Sequence, residues 1–145
     1  MFNVVLILNA ACTWLMTGII WFVQIVHYPL FASTGKDMFM PYVNAHRQLT
    51  SYVVAGPMVL EIITALMLVF MAKREDSLLY WIGLVAVIGI WSCTAFGSIP
   101  CHEKLCTAGF DDGVHKMLVS SNWVRTILWS VRSGLLSYLL YRAIR

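Results

Sequence analysis

Residues 4–26 read VVLILNAACTWLMTGIIWFVQIV and contain no Asp, Glu, Lys or Arg. A helix of about 20 mostly apolar residues is long enough to cross a lipid bilayer. Three further stretches meet that length, at residues 51–71, 78–99 and 117–141. Because lipid offers the backbone no hydrogen-bonding partner, such segments are expected to be helical. The sequence therefore predicts an all-α fold, an integral-membrane antiparallel four-helix bundle in which residues 1–145 form a single transmembrane domain.

The composition points to the same class of protein. Hydrophobic residues make up 60% of the chain and charged residues only 12%. The lipid bilayer is therefore the first partner that we expect, and the cell membrane is the expected location of this multi-pass chain. The net charge of +3 is dispersed, without a cluster of Lys and Arg, which argues against a nucleic-acid partner. Homo-oligomerisation is compatible with the sequence.

The predicted orientation in the membrane depends on two cysteines. Cys101 and Cys106 bracket His-Glu-Lys-Leu in a predicted loop, where a disulfide would indicate an oxidising compartment. Two free thiols or two metal ligands are the alternatives. Lysines and arginines are balanced between the two sides, so the positive-inside rule does not decide. We favour the arrangement in which the cysteine loop is outside and both termini are cytoplasmic.

Two long connections are predicted on the side opposite the termini. Residues 28–47 contain Pro29, Gly35 and Pro41 and are expected to re-enter the membrane or lie along its surface, with a short helix at 37–46. Residues 100–115 form the second predicted loop, and Asp112 is expected to cap the last helix. Loops of this length are more often functional than merely connecting.

All four histidines fall on that same side. His27 ends the first predicted helix, His46 precedes the second, His102 follows the third and His115 opens the fourth. Imidazole is a common ligand of transition metals. A ring of these four side chains would form a metal site, with Fe, Cu or Zn as the cofactor. Interfacial histidines among aromatic residues, or a histidine that transfers protons, are the alternatives.

Three ionisable residues lie inside the apolar stretches. Glu61 is on the second helix, and Arg125 and Arg132 share one face of the fourth. Charged residues at membrane depth are costly and are usually functional. At a rise of about 1.5 Å per residue, Glu61 lies about 22 Å from His46, while Arg125 and Arg132 lie about 15 and about 25 Å from His115.

We therefore expect Glu61 to pair with one of the two arginines, because an unpaired buried charge is costly. The other arginine would then be available to an anionic or polar ligand. A purely structural Glu–Arg pair is the alternative. The residues to which we assign catalytic roles are Glu61, Asn122 and Arg125. The residues expected to bind the substrate are Trp21, Gln24, Trp129 and Arg132.

One part of the chain resembles a known family. Residues 94–105 read TAFGSIPCHEKL, and residues 122–126 read NWVRT. These motifs are similar to those of the anthrone-oxygenase-like family of small four-helix membrane proteins. In that family a Thr is followed by Val-Pro-x-Asn-x-x-Leu and then by a tryptophan-rich stretch with Asn and Arg-Thr. His102 stands where the family more often has Asn. The resemblance covers the second half of the chain best.

The resemblance implies a four-helix fold and, from the fungal members, oxidation of anthrones to anthraquinones with oxygen. It implies a hydrophobic aromatic substrate that is reached from the membrane. It also implies a shared pocket that includes Pro100, Leu105, Asn122, Arg125 and Thr126. Because one fold hosts many chemistries, the activity does not follow from the fold alone.

Two functions from different classes are consistent with these patterns. The first is a metal-dependent membrane oxidoreductase or oxygenase that acts on a hydrophobic small-molecule substrate, with Gln24, Asn122 and Arg125 orienting the substrate. The second is a non-catalytic protein that binds or transports a small molecule or an ion. A transporter requires polar residues that continue to both faces of the membrane, and this requirement separates the two hypotheses. A structural subunit of a larger complex is a third interpretation.

Overall fold

The computed structural model describes all residues from 1 to 145 as a bundle of four helices without strands. The helices are α1 (Phe2–Ser33), α2 (Lys36–Met71), α3 (Ser77–Ala108) and α4 (Asp112–Ile144). Helix α1 packs against α2 and α4, and α3 packs against the same two helices. The prediction of an all-α four-helix bundle is confirmed.

Three of the helices, α1, α2 and α3, are long and apolar enough to cross a membrane. Helix α4 does not meet that criterion, although it has 33 residues. Its buried face carries Asn122, Arg125 and Arg132, which lower its apolar character while pointing into the bundle. The polar residues of α4 are thus covered by the other three helices.

The prediction that residues 28–47 form a linker is wrong, because nearly all of these residues are helical. Helix α1 continues to Ser33, and α2 begins at Lys36 and runs without a break to Met71. Pro29 does not end α1 because a wide π-helical turn at Val23–His27 comes just before it. Such a turn changes the hydrogen-bonding register, and so it accommodates a proline that lacks an N–H group.

A π-helical turn before a proline also occurs in α3, where the prediction of a loop at residues 100–115 is wrong. A second π-helical turn at Thr94–Ser98 comes just before Pro100, and the helix then continues to Ala108. The chain reverses in a short turn at Gly109, whose φ of 86° suits a residue without a side chain. The histidine end of the bundle is therefore built from helix ends and not from long loops.

The cap of α4 is one residue earlier than predicted. Asp111 accepts a hydrogen bond from the backbone N–H of Val114 at 2.8 Å, whereas Asp112 is the first helical residue and pairs with Lys116. Asp111 has extended backbone geometry, which a capping residue needs.

Replacing Asp111 with alanine is expected to lower the free energy of unfolding by about 1 kcal/mol, because one N–H group of the first turn loses its acceptor. Asp112→Ala is the matched control and is expected to cost less than about 0.5 kcal/mol, since its partner Lys116 is exposed. Thermal unfolding of the two variants in detergent provides the comparison. An equal loss in both variants would contradict the assignment of the cap.

Apolar clusters fill the bundle at both ends and in the middle. At the end that carries the termini, the core contains Leu6, Leu68, Leu84, Leu136 and Leu139. Arg142 of α4 contacts Asp76 in the turn before α3, which joins the C-terminal segment to the α2–α3 connection. The opposite end contains the four histidines and is described next.

Candidate functional site

The four histidines lie together at one end of the bundle, around the ring of Phe31. The centroid of that ring is 5.3 Å from His27, 5.2 Å from His46, 6.2 Å from His102 and 6.4 Å from His115. The two π-helical turns bring His27 and Tyr28 of α1 to the same level as His102 of α3. The four side chains therefore share one level of the bundle, with an aromatic ring between them.

At least one ring nitrogen of each histidine is occupied by a hydrogen bond. His27 Nε2 lies 2.6 Å from His46 Nδ1, and His102 Nε2 lies 3.0 Å from the hydroxyl of Tyr28. His115 Nε2 donates to the backbone carbonyl of Tyr28 at 2.8 Å. No group of three or more His, Cys, Asp or Glu side chains has an arrangement that would hold a metal ion. The four imidazoles therefore surround Phe31 and are not arranged as a set of metal ligands, and the metal cofactor stays a prediction.

The two cysteines of the predicted loop lie inside helix α3. Cys101 and Cys106 are both buried and both free, so they form no disulfide. They belong to the apolar cluster of the histidine end, together with Phe31 and Leu105. The cysteines therefore give no support to either orientation, and cytoplasmic termini stay a prediction.

A cavity of about 330 Å³ opens beside the histidines and is lined by all four helices. No Asp or Glu lines it. Its polar lining residues are Tyr28, His46, Thr50, Ser51, Thr94, Ser98, His102 and Arg125, together with the exposed Arg47. The cavity is therefore cationic, with hydroxyl and imidazole groups around one buried guanidinium.

A chain of hydrogen bonds positions that guanidinium. Asn122 donates to Gln24 Oε1 at 2.7 Å and accepts from Arg125 Nη2. Arg125 Nη2 also donates to the hydroxyl of Tyr28 at 3.3 Å, and Nη1 donates to Thr94 at 3.4 Å. The predicted residues Gln24, Asn122 and Arg125 are thus brought together. Tyr28, which sequence reasoning left without a role, connects them to His102.

The same chain assigns the tautomer of His102. Arginine has no acceptor, so Arg125 must donate to the oxygen of Tyr28. We assign to His102 the tautomer in which Nε2 accepts the phenolic hydrogen of Tyr28 and Nδ1 carries the imidazole proton. His102 is accordingly a hydrogen-bond donor through Nδ1.

Two donors of the cavity side chains have no partner in the protein. They are Nε of Arg125 and Nδ1 of His102, and both atoms are buried. Arg125 is 7% exposed and His102 is 9% exposed. Buried polar groups are usually paired, and each exception requires an explanation. Both atoms are closed off from the cavity space, so the feature of the cavity that suits an anion is the Arg125 guanidinium, which has no carboxylate partner there.

Glu61 belongs to a second polar cluster near the middle of the bundle. Its carboxylate accepts from Arg132 Nε at 3.1 Å, and both side chains are almost fully buried. The prediction that Glu61 pairs with one arginine is confirmed, and the arginine is Arg132. Trp129 donates to the other carboxylate oxygen at 3.1 Å. The carboxylate is thus held by α4 from two positions.

Two residues of α1 that sequence reasoning missed complete this cluster. Thr13 donates to Glu61 at 2.6 Å, and Asn9 accepts from Arg132 at 3.0 Å. Asn9, Thr13 and Thr17 are spaced four residues apart, so they share one face of α1. That spacing was the sequence signal from which a polar face of α1 could have been predicted. Glu61, Trp129 and Arg132 do not line the cavity beside the histidines, their hydrogen bonds join α1, α2 and α4, and their roles toward a substrate stay predictions.

Trp21 is placed away from the cavity as well. It is 43% exposed on the outer surface, where it donates to Ser130 at 3.0 Å and packs edge-to-face on Trp123. A residue at this position of α1 faces outward because Ile20 and Gln24 occupy the inner face. Trp21 therefore does not line the cavity, and its role in substrate binding stays a prediction.

Replacing Tyr28 with phenylalanine is expected to lower the free energy of unfolding by about 1–3 kcal/mol, because His102 and Arg125 both lose a buried partner. Tyr42→Phe is the matched control, since the side chain of Tyr42 is exposed. Chemical or thermal unfolding in detergent measures both variants. Equal stability of the two variants would show that the hydroxyl of Tyr28 does not hold the chain of hydrogen bonds together.

Comparisons with protein-family models, with curated proteins and with solved structures found no significant match. The proposals below therefore depend on the geometry of the site and on the resemblance described from the sequence.

Proposed function

We propose that the protein is an integral-membrane oxidoreductase, an oxygenase that acts on a lipophilic substrate with an acidic C–H or O–H group. The observation that supports this proposal is the buried guanidinium of Arg125 in a cavity that carries no carboxylate. A ligand that brings an oxyanion would neutralise the guanidinium.

The oxyanion is the conjugate base of the substrate. A ketone with an acidic methylene group, such as an anthrone, loses a proton to form an enolate whose negative charge lies on oxygen. Preorganised donors lower the free energy of such an anion, and the effect is large where water is excluded. Arg125 and His102 have this role in the proposal, while Asn122 and Tyr28 position the guanidinium.

The histidine pair at the cavity wall is the proposed acceptor of the proton. His46 lines the cavity, and its ring is 5.5 Å from that of His102. Its Nδ1 contacts both His27 and Thr50, at 2.6 and 3.0 Å. The contact with the partly buried His27, which lines the neighbouring groove, offers a route away from the cavity, and imidazole is a common proton shuttle. His46 and His27 are therefore assigned to proton transfer.

Oxygen is the oxidant in this proposal, as the resemblance to the anthrone-oxygenase-like family implies. One methylene of the substrate becomes a carbonyl, while one oxygen atom of O₂ enters the product and the other leaves as water. The two methylene hydrogens form that water, so no further reductant is needed. The protein contributes the oxyanion site, the proton acceptor and a cavity that is shielded from bulk water.

A transition metal at the histidines stays a separate prediction. His27, His46 and His102 are neighbours, but their hydrogen bonds would have to break before they could act as ligands. Elemental analysis of the purified protein tests this prediction. A stoichiometric metal that disappears in His27→Ala and His46→Ala would support it. Substoichiometric metal, unchanged on reconstitution, would refute it and leave the oxyanion proposal intact.

Oxygen uptake tests the function directly. The full chain in lipid nanodiscs is supplied with anthrone, and oxygen consumption and quinone absorbance are recorded. We expect turnover above the rate of protein-free nanodiscs, a loss of about 10²-fold in His102→Leu, and partial retention in His102→Asn, which keeps an N–H donor. A wild-type rate equal to that of protein-free nanodiscs would overturn the proposal.

The hypothesis of transport is disfavoured by the distribution of polar groups. Between the cavity and the Glu61 cluster lie buried apolar side chains, which include Met16, Ile20, Met58 and Ile90. Beyond Glu61 the interior is closed by the leucines of the terminal end. A path for ions needs polar groups or water across the whole membrane. The polar cavity therefore ends inside the bundle, as expected for a binding or catalytic site.

A further inference from the structure

A second depression lies next to the cavity, on the outer surface between α1 and α2. It is an apolar groove of about 240 Å³. Its lining carries no acidic residue and no Lys or Arg. The residues that belong to the groove but not to the cavity are Ile19, Phe22, Val23, His27, Leu49 and Val53. An apolar groove on the outside of a membrane bundle is open to the alkyl chains of lipophilic molecules.

The groove and the cavity share one wall. His46, Thr50 and Val54 of α2 line both spaces, so a single row of side chains along one helix separates them. These residues are spaced four apart and lie on one face of α2. Val54 and Thr50 are only partly buried, and Val54 packs against the edge of the small apolar cluster in the middle of the bundle. The row is therefore the shortest connection between a cationic site and a lipid-facing groove.

We propose that the substrate of this site is an amphiphile, with an acidic aromatic head and a single flexible apolar chain. This inference rests on the proposed function and names its substrate class. The head lies in the cavity, with its oxyanion at Arg125 and His102. The chain passes across the row His46, Thr50 and Val54 and lies in the groove between α1 and α2.

Charge and volume both favour this division. The cavity holds the only buried cation that lacks a carboxylate partner, whereas the groove is uncharged. At about 330 Å³ the cavity is near the lower limit for sites that enclose a drug-sized ligand, about 300 Å³. It accommodates an aromatic head but not a head together with a long chain. The chain must therefore leave the cavity, and the groove is the adjoining apolar space.

The groove is expected to select substrates by the shape of their apolar chain. An alkyl chain in lipid is already in an apolar environment, so its transfer to the groove releases little hydrophobic free energy. A chain that is blocked at the row, however, would pull the head away from Arg125. The test is therefore to block the row and to compare probes with and without a chain.

The probes are two ortho-nitrophenols, which ionise near neutral pH and are yellow as phenolates. One carries a para-dodecyl chain and the other a para-methyl group. The full chain in nanodiscs is titrated with each probe, and the dissociation constant is obtained from the change in phenolate absorbance. Val54→Phe blocks the shared wall, and Val53→Phe narrows only the groove. Val59→Phe, on an exposed face of α2 away from both spaces, is the matched control.

We expect Val54→Phe to weaken binding of the dodecyl probe by about tenfold, because overfilling a passage is destabilising. The methyl probe is expected to bind the wild type and Val53→Phe equally, because Val53 lines only the groove, and Val59→Phe is expected to change neither constant. Each comparison uses one probe, so differences in partitioning into lipid cancel. Unchanged binding of the dodecyl probe in Val54→Phe would overturn the inference.

If Val54→Phe weakens the binding of both probes, the substitution has disturbed the site of the aromatic head. Val53→Phe then decides whether the alkyl chain lies in the groove. Selective weakening of the dodecyl probe in Val53→Phe supports the inference, and unchanged binding there refutes it. Chain-dependent binding without any oxygen uptake would leave the amphiphile site in place and remove the oxygenase activity. Oxygen uptake with anthrone, together with probe binding that does not depend on the chain, would support the oxygenase activity and refute the amphiphile site.

Discussion

Glu61→Gln is expected to lower the free energy of unfolding by about 3–5 kcal/mol, the largest loss of stability that we predict for a single substitution. The glutamine keeps the shape of the side chain but leaves the guanidinium of Arg132, which is almost completely buried, without a counter-charge. Thr13 and Trp129 lose a charged acceptor at the same time. Chemical unfolding of the purified chain in mixed micelles measures the loss.

Two further variants make this prediction specific to the ion pair. Combining Glu61→Gln with Arg132→Met is expected to recover much of the lost stability, because a buried pair can be replaced by uncharged side chains at little cost. Glu75→Gln, an exposed residue in the α2–α3 connection, is the control and is expected to change stability by less than about 0.5 kcal/mol. A double variant less stable than Glu61→Gln alone would contradict the ion-pair account.

Arg125→Gln is expected to reduce the turnover of anthrone by about 10²–10³-fold, the largest functional effect that we predict. The substitution removes the positive charge beside the proposed oxyanion, in a cavity that has no other buried cation. Binding of the methyl nitrophenol is expected to weaken in parallel, since its phenolate uses the same groups. Oxygen uptake and the absorbance titration measure these two effects separately.

Arg125→Lys and Arg47→Gln are the comparison variants. Lysine keeps the charge but lacks the planar set of donors that contacts Asn122 and Tyr28, so an intermediate rate is expected. Arg47 also lines the cavity but is exposed, where water screens its charge, so its removal is expected to cost less than about tenfold. If Arg125→Gln turned over at the wild-type rate while folding normally, the oxyanion site would have to be assigned elsewhere.

The polar interior shows how far sequence reasoning reached. The spacing of Glu61, Arg125 and Arg132 along two helices indicated a buried ion pair, and the structure contains one. The choice between the arginines depends on Asn9 and Thr13 of a third helix, which surround Arg132 and not Arg125. Helical periodicity assigns residues to faces of one helix, but it carries no information about which neighbour offers the matching donors.

The prolines show why the helix boundaries were predicted less well. Pro29 and Pro100 indicated the ends of helices, since a proline lacks an N–H group and clashes with the preceding turn. In both cases a π-helical turn just before the proline allows the helix to continue. Such turns have no residue signature as strong as that of proline itself. Their effect is to extend α1 and α3 beyond the predicted bounds and to bring Tyr28 and His102 into contact.

The sequence by itself determined the class of the molecule, because runs of residues without charge are long enough to require helices in lipid and leave little chain for anything else. It also determined that the histidines lie at one end, since an even number of reversals brings them to the same side. Only the tertiary structure decided what these residues do. Rotation of each helix about its axis placed Phe31 and Tyr28 among the imidazoles, gave Arg132 to Glu61, and left Arg125 in a cavity without a counter-charge. Such pairings depend on side chains from several helices at once, and no pattern along a single helix contains them.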